Sequence, residues 1–147
     1  IKRKFGNIVN ISSGAGFINI YGYTGYGASK FAVTGLTEAL RMELAPHGIK
    51  VSIVFPSDTD TAQLVEDNQY KPQITKEIAN VAQLFDPATV AKEIIKGVAR
   101  GKYLIIPGKI NRLMYRMVNV SRPLWHWYFD QLVKRSIKKS STETNNS

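Results

Sequence analysis

The 147-residue chain is 44% apolar, carries a formal net charge of +9 and contains no cysteine. That composition supports one globular core and excludes disulfides, thiolate metal sites and cysteine nucleophiles. His47 and His126 lie far apart, one at an expected helix end and one in an aromatic run, so no histidine-based metal site is expected.

The chain opens at Ile1 and enters a strand-like segment without a targeting sequence ahead of it, so it is read as a piece of a longer chain. Gly6–Ile11 reads as a short buried strand, ended by the small residues Ser12 to Gly16. Phe17 to Thr24 is an aromatic loop. Phe31, Leu36, Ala39, Leu40 and Leu44 recur at helical spacing and predict a helix from about Gly25 to Leu44, stopped by Pro46-His47-Gly48. Lys50 to Phe55 is a second strand, closed by Pro56. Residues 57 to 85 read as irregular, with short helices near Thr61–Asp67 and Thr75–Val81.

Asp86 is the expected cap of a further helix, with Pro87 at its first position and an apolar face of Val90, Ala91, Ile94, Ile95 and Val98. Tyr103 to Ile106 is a third strand. Alternation of strand and helix implies parallel strands joined by crossover helices, an α/β sheet. Residues 1–108 form this unit.

Residues 109–139 are a basic amphipathic helical tail. Lys109, Arg112, Arg116, Arg122, Lys134, Arg135, Lys138 and Lys139 stand there against Asp130 alone. Ile110, Leu113, Met114, Met117 and Val118 share one helical face, and Trp125, Tyr128, Phe129, Leu132 and Val133 share another. No apolar run is long enough to span a bilayer. A basic amphipathic helix with Trp and Tyr suits an anionic membrane surface, while the same periodicity also suits packing on the sheet or on a sister subunit in a homo-oligomer. No recognised nucleic-acid motif accompanies the charge, and no nucleic acid is expected. Residues 140–147 are polar and are expected to be disordered.

The chemistry-bearing residues are Ser13, Tyr26 and Lys30. Ser13 follows the end of a strand, where ligands bind in open α/β sheets. Tyr26 and Lys30 lie one turn apart on one helix face. A free tyrosine titrates at about 10, and a nearby ammonium stabilises its phenolate. Such a tyrosine can pass a proton to a carbonyl oxygen that a serine hydroxyl holds. Each residue alone is more often a surface or turn residue.

The string Gly6-Asn7-Ile8-Val9-Asn10-Ile11-Ser12-Ser13-Gly14-Ala15-Gly16, followed by Tyr26-Gly27-Ala28-Ser29-Lys30-Phe31-Ala32-Val33, resembles the short-chain dehydrogenase/reductase signature. The resemblance covers about Gly6 to Pro107. It implies the C-terminal half of a Rossmann-like, doubly wound parallel sheet. It implies Tyr26 as acid–base, Lys30 as its tuner and a ribose contact, and Ser13 as partner of the substrate oxygen. It also implies that the loop after the second strand contacts the cofactor, through Pro56, Thr59 and Thr61. Ser57 stands where the family has glycine, which questions the loop conformation because serine tolerates positive φ poorly. A plain turn with a helix cap at Asp60 or Thr61 fits the same residues.

Pro56-Ser57-Asp58-Thr59-Asp60-Thr61 and Glu66-Asp67-Asn68-Gln69-Tyr70-Lys71-Pro72, with Tyr23 to Ala32, resemble the 3-ketodihydrosphingosine reductase branch of that family. This likeness implies NADPH as cofactor, with NAD(H) as the alternative, and the ketone of a long-chain sphingoid base as substrate. It implies work in the cytoplasm or at the cytoplasmic face of a membrane. A reductase of another carbonyl, or a membrane-associated scaffold without activity, are the competing readings. The family's glycine-rich phosphate loop is absent from these 147 residues.

Overall fold

The computed structural model describes residues 1–79 and 84–144, with side chains through Lys138. Three strands, β1 (Gly6–Ile11), β2 (Ile49–Val54) and β3 (Leu104–Ile105), form a parallel sheet in the order β1-β2-β3. Ile8 pairs with Val51 and Val54 pairs with Ile105. The crossovers are helical: α1 (Thr24–Leu44) joins β1 to β2, and α2 (Ala62–Tyr70), α3 (Gln73–Ala79) and α4 (Pro87–Ala99) join β2 to β3. Helices α5 (Lys109–Val120) and α6 (Arg122–Thr144) follow. Both short helices expected between residues 57 and 85 are present, although the end of the second, Asn80 and Val81, lies outside the described residues.

β2 is the centre of the sheet, and its run of apolar residues is buried on both faces: Ile53, Val54 and Phe55 are almost fully enclosed. β1 differs from the expectation of a buried strand. It pairs with β2 alone among the described strands, so its other edge is open and Ile11 is half exposed.

The buried face of α1 also differs from its apolar periodicity. Phe31 and Leu36 are exposed, while Thr37 is completely buried. Thr37 is fully hydrogen-bonded in that position. Asn10 Nδ2 on β1 donates to Thr37 Oγ1 at 3.0 Å, and Thr37 donates to the Val33 carbonyl at 2.6 Å. Thr37→Val should leave the Asn10 amide without this partner and lower stability by about 1–3 kcal/mol, measured by urea unfolding. Helix α1 is succeeded by a 3-10 turn that ends at Gly48, whose φ of +70° is left-handed and whose Cβ position would collide with the Lys4 carbonyl. α4 starts as expected: the Asp86 carboxylate accepts from the Thr89 N–H at 2.9 Å. Its buried contacts are Val90 and Gly97, with Gly97 against Ile105, whereas Ile95 is exposed.

The basic tail is not a separate appendage. Val118 is 1% exposed and belongs to the same core as Phe17, Ile53, Phe55 and Ile106, with Met114, Tyr115 and Trp125 packed against it. Tyr115 meets the Phe17 ring edge-on at 5.2 Å and stacks on Phe55 at 5.8 Å. Helix α6 is tied down by Arg122, which donates to the Phe17 carbonyl, and by Ser136, which donates to Glu77 on α3. It continues to Thr144, so residues 140–144 are helical rather than disordered. Extending a nucleated helix fixes one residue per added bond, which suits polar residues following an anchored turn. Residues 145–147 lie outside the described residues.

Candidate active site

The site forms where β1 and β2 end. The Ser12 N–H donates to the Val54 carbonyl and the Gly14 N–H to the Pro56 carbonyl, which draws the two strand ends together. Ser12 is buried, and its hydroxyl donates to the Lys30 carbonyl at 3.0 Å. Thr34 Oγ1 also donates to the Gly16 carbonyl at 3.0 Å. These bonds clamp the Ser12–Gly16 segment onto the first turns of α1.

Ser13 follows directly. Its hydroxyl accepts from the Ala15 N–H at 3.3 Å, which leaves the hydroxyl proton available for donation. On α1, the Lys30 ammonium lies 5.4 Å from the centre of the Tyr26 ring. Tyr26 is partly open to solvent, and Tyr23 sits edge-on against it at 5.3 Å. Burial raises the Tyr23 phenol above its ordinary pKa, an effect opposed by the neighbouring Lys71 ammonium.

The loop after β2 is held from a distance. The Phe85 N–H donates to the Asp58 carbonyl and the Asp60 N–H to the Phe85 carbonyl, both at 2.9 Å. Thr59 Oγ1 donates to the Ser57 carbonyl, and Thr61 caps α2 by accepting from the Leu64 N–H. Lys4 is the one non-glycine residue with positive φ among those described, so Ser57 takes the glycine position without a left-handed backbone.

All six candidate residues, Ser13, Tyr26, Lys30, Pro56, Thr59 and Thr61, border one cleft of about 570 Å³. Beside it is an apolar chamber of about 500 Å³, walled by Phe17 and by Met114, Met117, Trp125, Phe129 and Leu132 of the tail. The cleft and the chamber share Ser13, Tyr23, Pro56, Ser57 and Asp58. Hydroxyls of Thr59 and Thr61, the Tyr26 phenol and the Lys30 ammonium are suitable partners for a nicotinamide amide and ribose. No group of three or more His, Asp or Glu among the described residues could hold a metal ion.

The model of the short chain dehydrogenase family matches residues 1–72, the stretch that contains every candidate residue. The chain belongs to the short-chain dehydrogenase family. This family member is 42% identical over 102 residues to 3-ketodihydrosphingosine reductase from Mus musculus, covering 69% of this chain and 31% of that protein. It is 38% identical over 128 residues to 3-ketodihydrosphingosine reductase from Dictyostelium discoideum, covering 87% and 38%. Its fold is similar to that of a short-chain dehydrogenase from Sphingobium yanoikuyae in complex with NADPH, with a TM-score of 0.61 and 25% identity over 82% of this chain and 44% of that one. The short-chain dehydrogenase chain described here spans about a third of the length of the curated relatives it matches.

Three contributors escape sequence reasoning. Ser12 is indistinguishable from Ser13 in the string, and only the fold shows that it is the clamp. Tyr23 and Asp58 come together at the junction of cleft and chamber from separate segments, with no local spacing to announce it.

Proposed function

We propose that this chain carries the catalytic half of an NADPH-dependent reductase that acts on the ketone of 3-ketodihydrosphingosine. The observation that carries the reading is that the cleft bordered by Ser13, Tyr26 and Lys30 adjoins an apolar chamber, with five lining residues in common. A long-chain ketone has both parts: a polar group to react and a hydrocarbon chain to bury. A small polar carbonyl compound would leave the chamber empty. The reductases similar to this chain are named for that substrate, and the similar solved dehydrogenase binds NADPH.

Ser13 and Tyr26 hold the ketone oxygen by hydrogen bonds. NADPH, when bound there, would supply the hydride for the carbonyl carbon. Tyr26 gives its phenolic proton to the oxygen, so the ketone becomes an alcohol. Lys30 stabilises the phenolate left behind, and with Thr59 and Thr61 would hold the nicotinamide and its ribose.

NADPH oxidation by the full-length protein with 3-ketodihydrosphingosine tests the reading. Shortening the alkyl chain should lower kcat/KM by about fourfold per buried methylene. Trp125→Ala should weaken that dependence on length. A rate indifferent to chain length would favour a reductase of small carbonyl compounds, and no NADPH oxidation with any ketone would favour a scaffold.

A membrane surface is the proposed partner. No described helix is long and apolar enough to cross a bilayer. Ile110, Leu113, Met117 and Val120 form an exposed stripe along α5, beside the exposed Lys109 and Arg116. Apolar side chains flanked by cations suit the headgroup region of an anionic leaflet, and the cytoplasmic face is the proposed location. Co-sedimentation of the full-length protein with anionic vesicles should weaken with salt and with Leu113→Asp. Equal binding to neutral vesicles would contradict the electrostatic part.

A further inference from the structure

The junction between cleft and chamber holds a charge that the hydride and proton transfers do not use. Asp58 borders both spaces, and among the described residues lining the chamber it is the one charged side chain. Lys30 and Lys71 border the cleft but not the chamber. Asp58 is half-buried, and among the described residues its carboxylate forms no salt bridge. Its backbone is fixed, since its carbonyl accepts from Phe85 and the next residue, Thr59, bridges to Phe85. A carboxylate held at the mouth of an apolar space costs solvation unless a cation joins it there.

We propose that Asp58 is a specificity-determining residue that receives an ammonium group carried by the substrate next to its ketone. This rests on the reading given under Proposed function. A sphingoid ketone has an amine on the carbon beside the carbonyl. With the ketone at Ser13 and Tyr26 and the hydrocarbon chain in the chamber, that amine lies on the far side of the ketone from the chain, in the cleft, which Asp58 also borders. Ser13, Tyr23 and Asp58 line the cleft and the chamber alike, so the carboxylate is within the space that the carbons next to the ketone occupy. The carboxylate is close enough to Tyr23 to act on its phenol electrostatically. A charge-assisted hydrogen bond there sets the order of the groups along the substrate, ammonium at one side of the ketone and hydrocarbon at the other. An acylated amine has no charge and is bulkier, so the same carboxylate discriminates against amides.

The test uses the full-length protein, NADPH and three ketones of one chain length: the free amine, its N-acetyl amide and the desamino ketone. The wild type should show a higher kcat/KM for the amine than for the other two. Asp58→Asn should reduce the amine-to-desamino ratio by roughly ten- to a hundredfold, and Asp58→Glu should restore part of it. The ratio is the informative readout, because structural damage lowers both rates together. NADPH binding, followed by fluorescence, checks each variant, with Asp58→Ser as a second neutral substitution. A ratio unchanged in both neutral variants, or a wild type that does not prefer the amine, overturns the role of Asp58 and leaves the reductase reading standing. A wild type that oxidises NADPH with none of the three ketones overturns both.

Discussion

Tyr26→Phe in the full-length protein should lower turnover by about 10²–10⁴-fold while leaving NADPH affinity largely intact. Phenylalanine keeps the ring that packs against Tyr23 and lies near the Lys30 ammonium. It removes only the hydroxyl proton that the ketone oxygen needs. Lys30→Ala should instead damage both turnover and cofactor binding, because the ammonium stabilises the Tyr26 phenolate and would reach the ribose. Steady-state NADPH oxidation gives the first quantity and fluorescence titration the second. Near-normal turnover in Tyr26→Phe would remove the acid–base assignment. A parallel loss of NADPH binding in that variant would point to a structural fault rather than a missing proton donor.

The 147 residues expressed alone should bind NADPH at least about a hundredfold more weakly than the full-length protein and should not catalyse. The loss has a definite origin. The G-x-x-x-G-x-G turn that leads into a helix N-terminus is the main phosphate site of such folds, and these 147 residues lack that motif. The isolated chain should also self-associate. β1 presents an unpaired edge and exposes Ile11, and α1 exposes Phe31 and Leu36. Unpaired parallel edges invite further strands. Size-exclusion chromatography alongside the titration reads both effects. A monodisperse monomer with ordinary micromolar affinity would contradict them.

Elements with local signals were the legible ones. β1, β2 and α4 follow from apolar runs and from the Asp86-Pro87 start, and all six candidate residues border one cleft. The buried face of α1 was not legible, because a threonine paired with Asn10 of β1 takes the buried position while Phe31 and Leu36 stay exposed. The fate of the tail was equally hidden. A stripe of Met, Leu and Trp has the same spacing whether lipid or protein covers it. In the fold Met114, Val118 and Trp125 turn to the core while Ile110, Leu113 and Val120 stay outside. Asp58 stood in the sequence only as part of the string that resembles the reductase branch, because the walls of the cleft and chamber it borders come from separate segments.

The double duty of α5 and α6 limits how this molecule can change. Met114 and Trp125 wall the chamber and also pack on the core around Phe17, Ile53 and Val118. Carving room for a longer or branched chain there removes packing from the only sheet the described residues possess, at about 2–5 kcal/mol for each large-to-small exchange. Variants with altered chain-length preference should therefore appear first at Met117, Leu124 or Tyr128, which border the chamber yet keep one side in solvent. Evolution toward a new lipid would start at this rim and move inward only after stabilising changes had accumulated elsewhere.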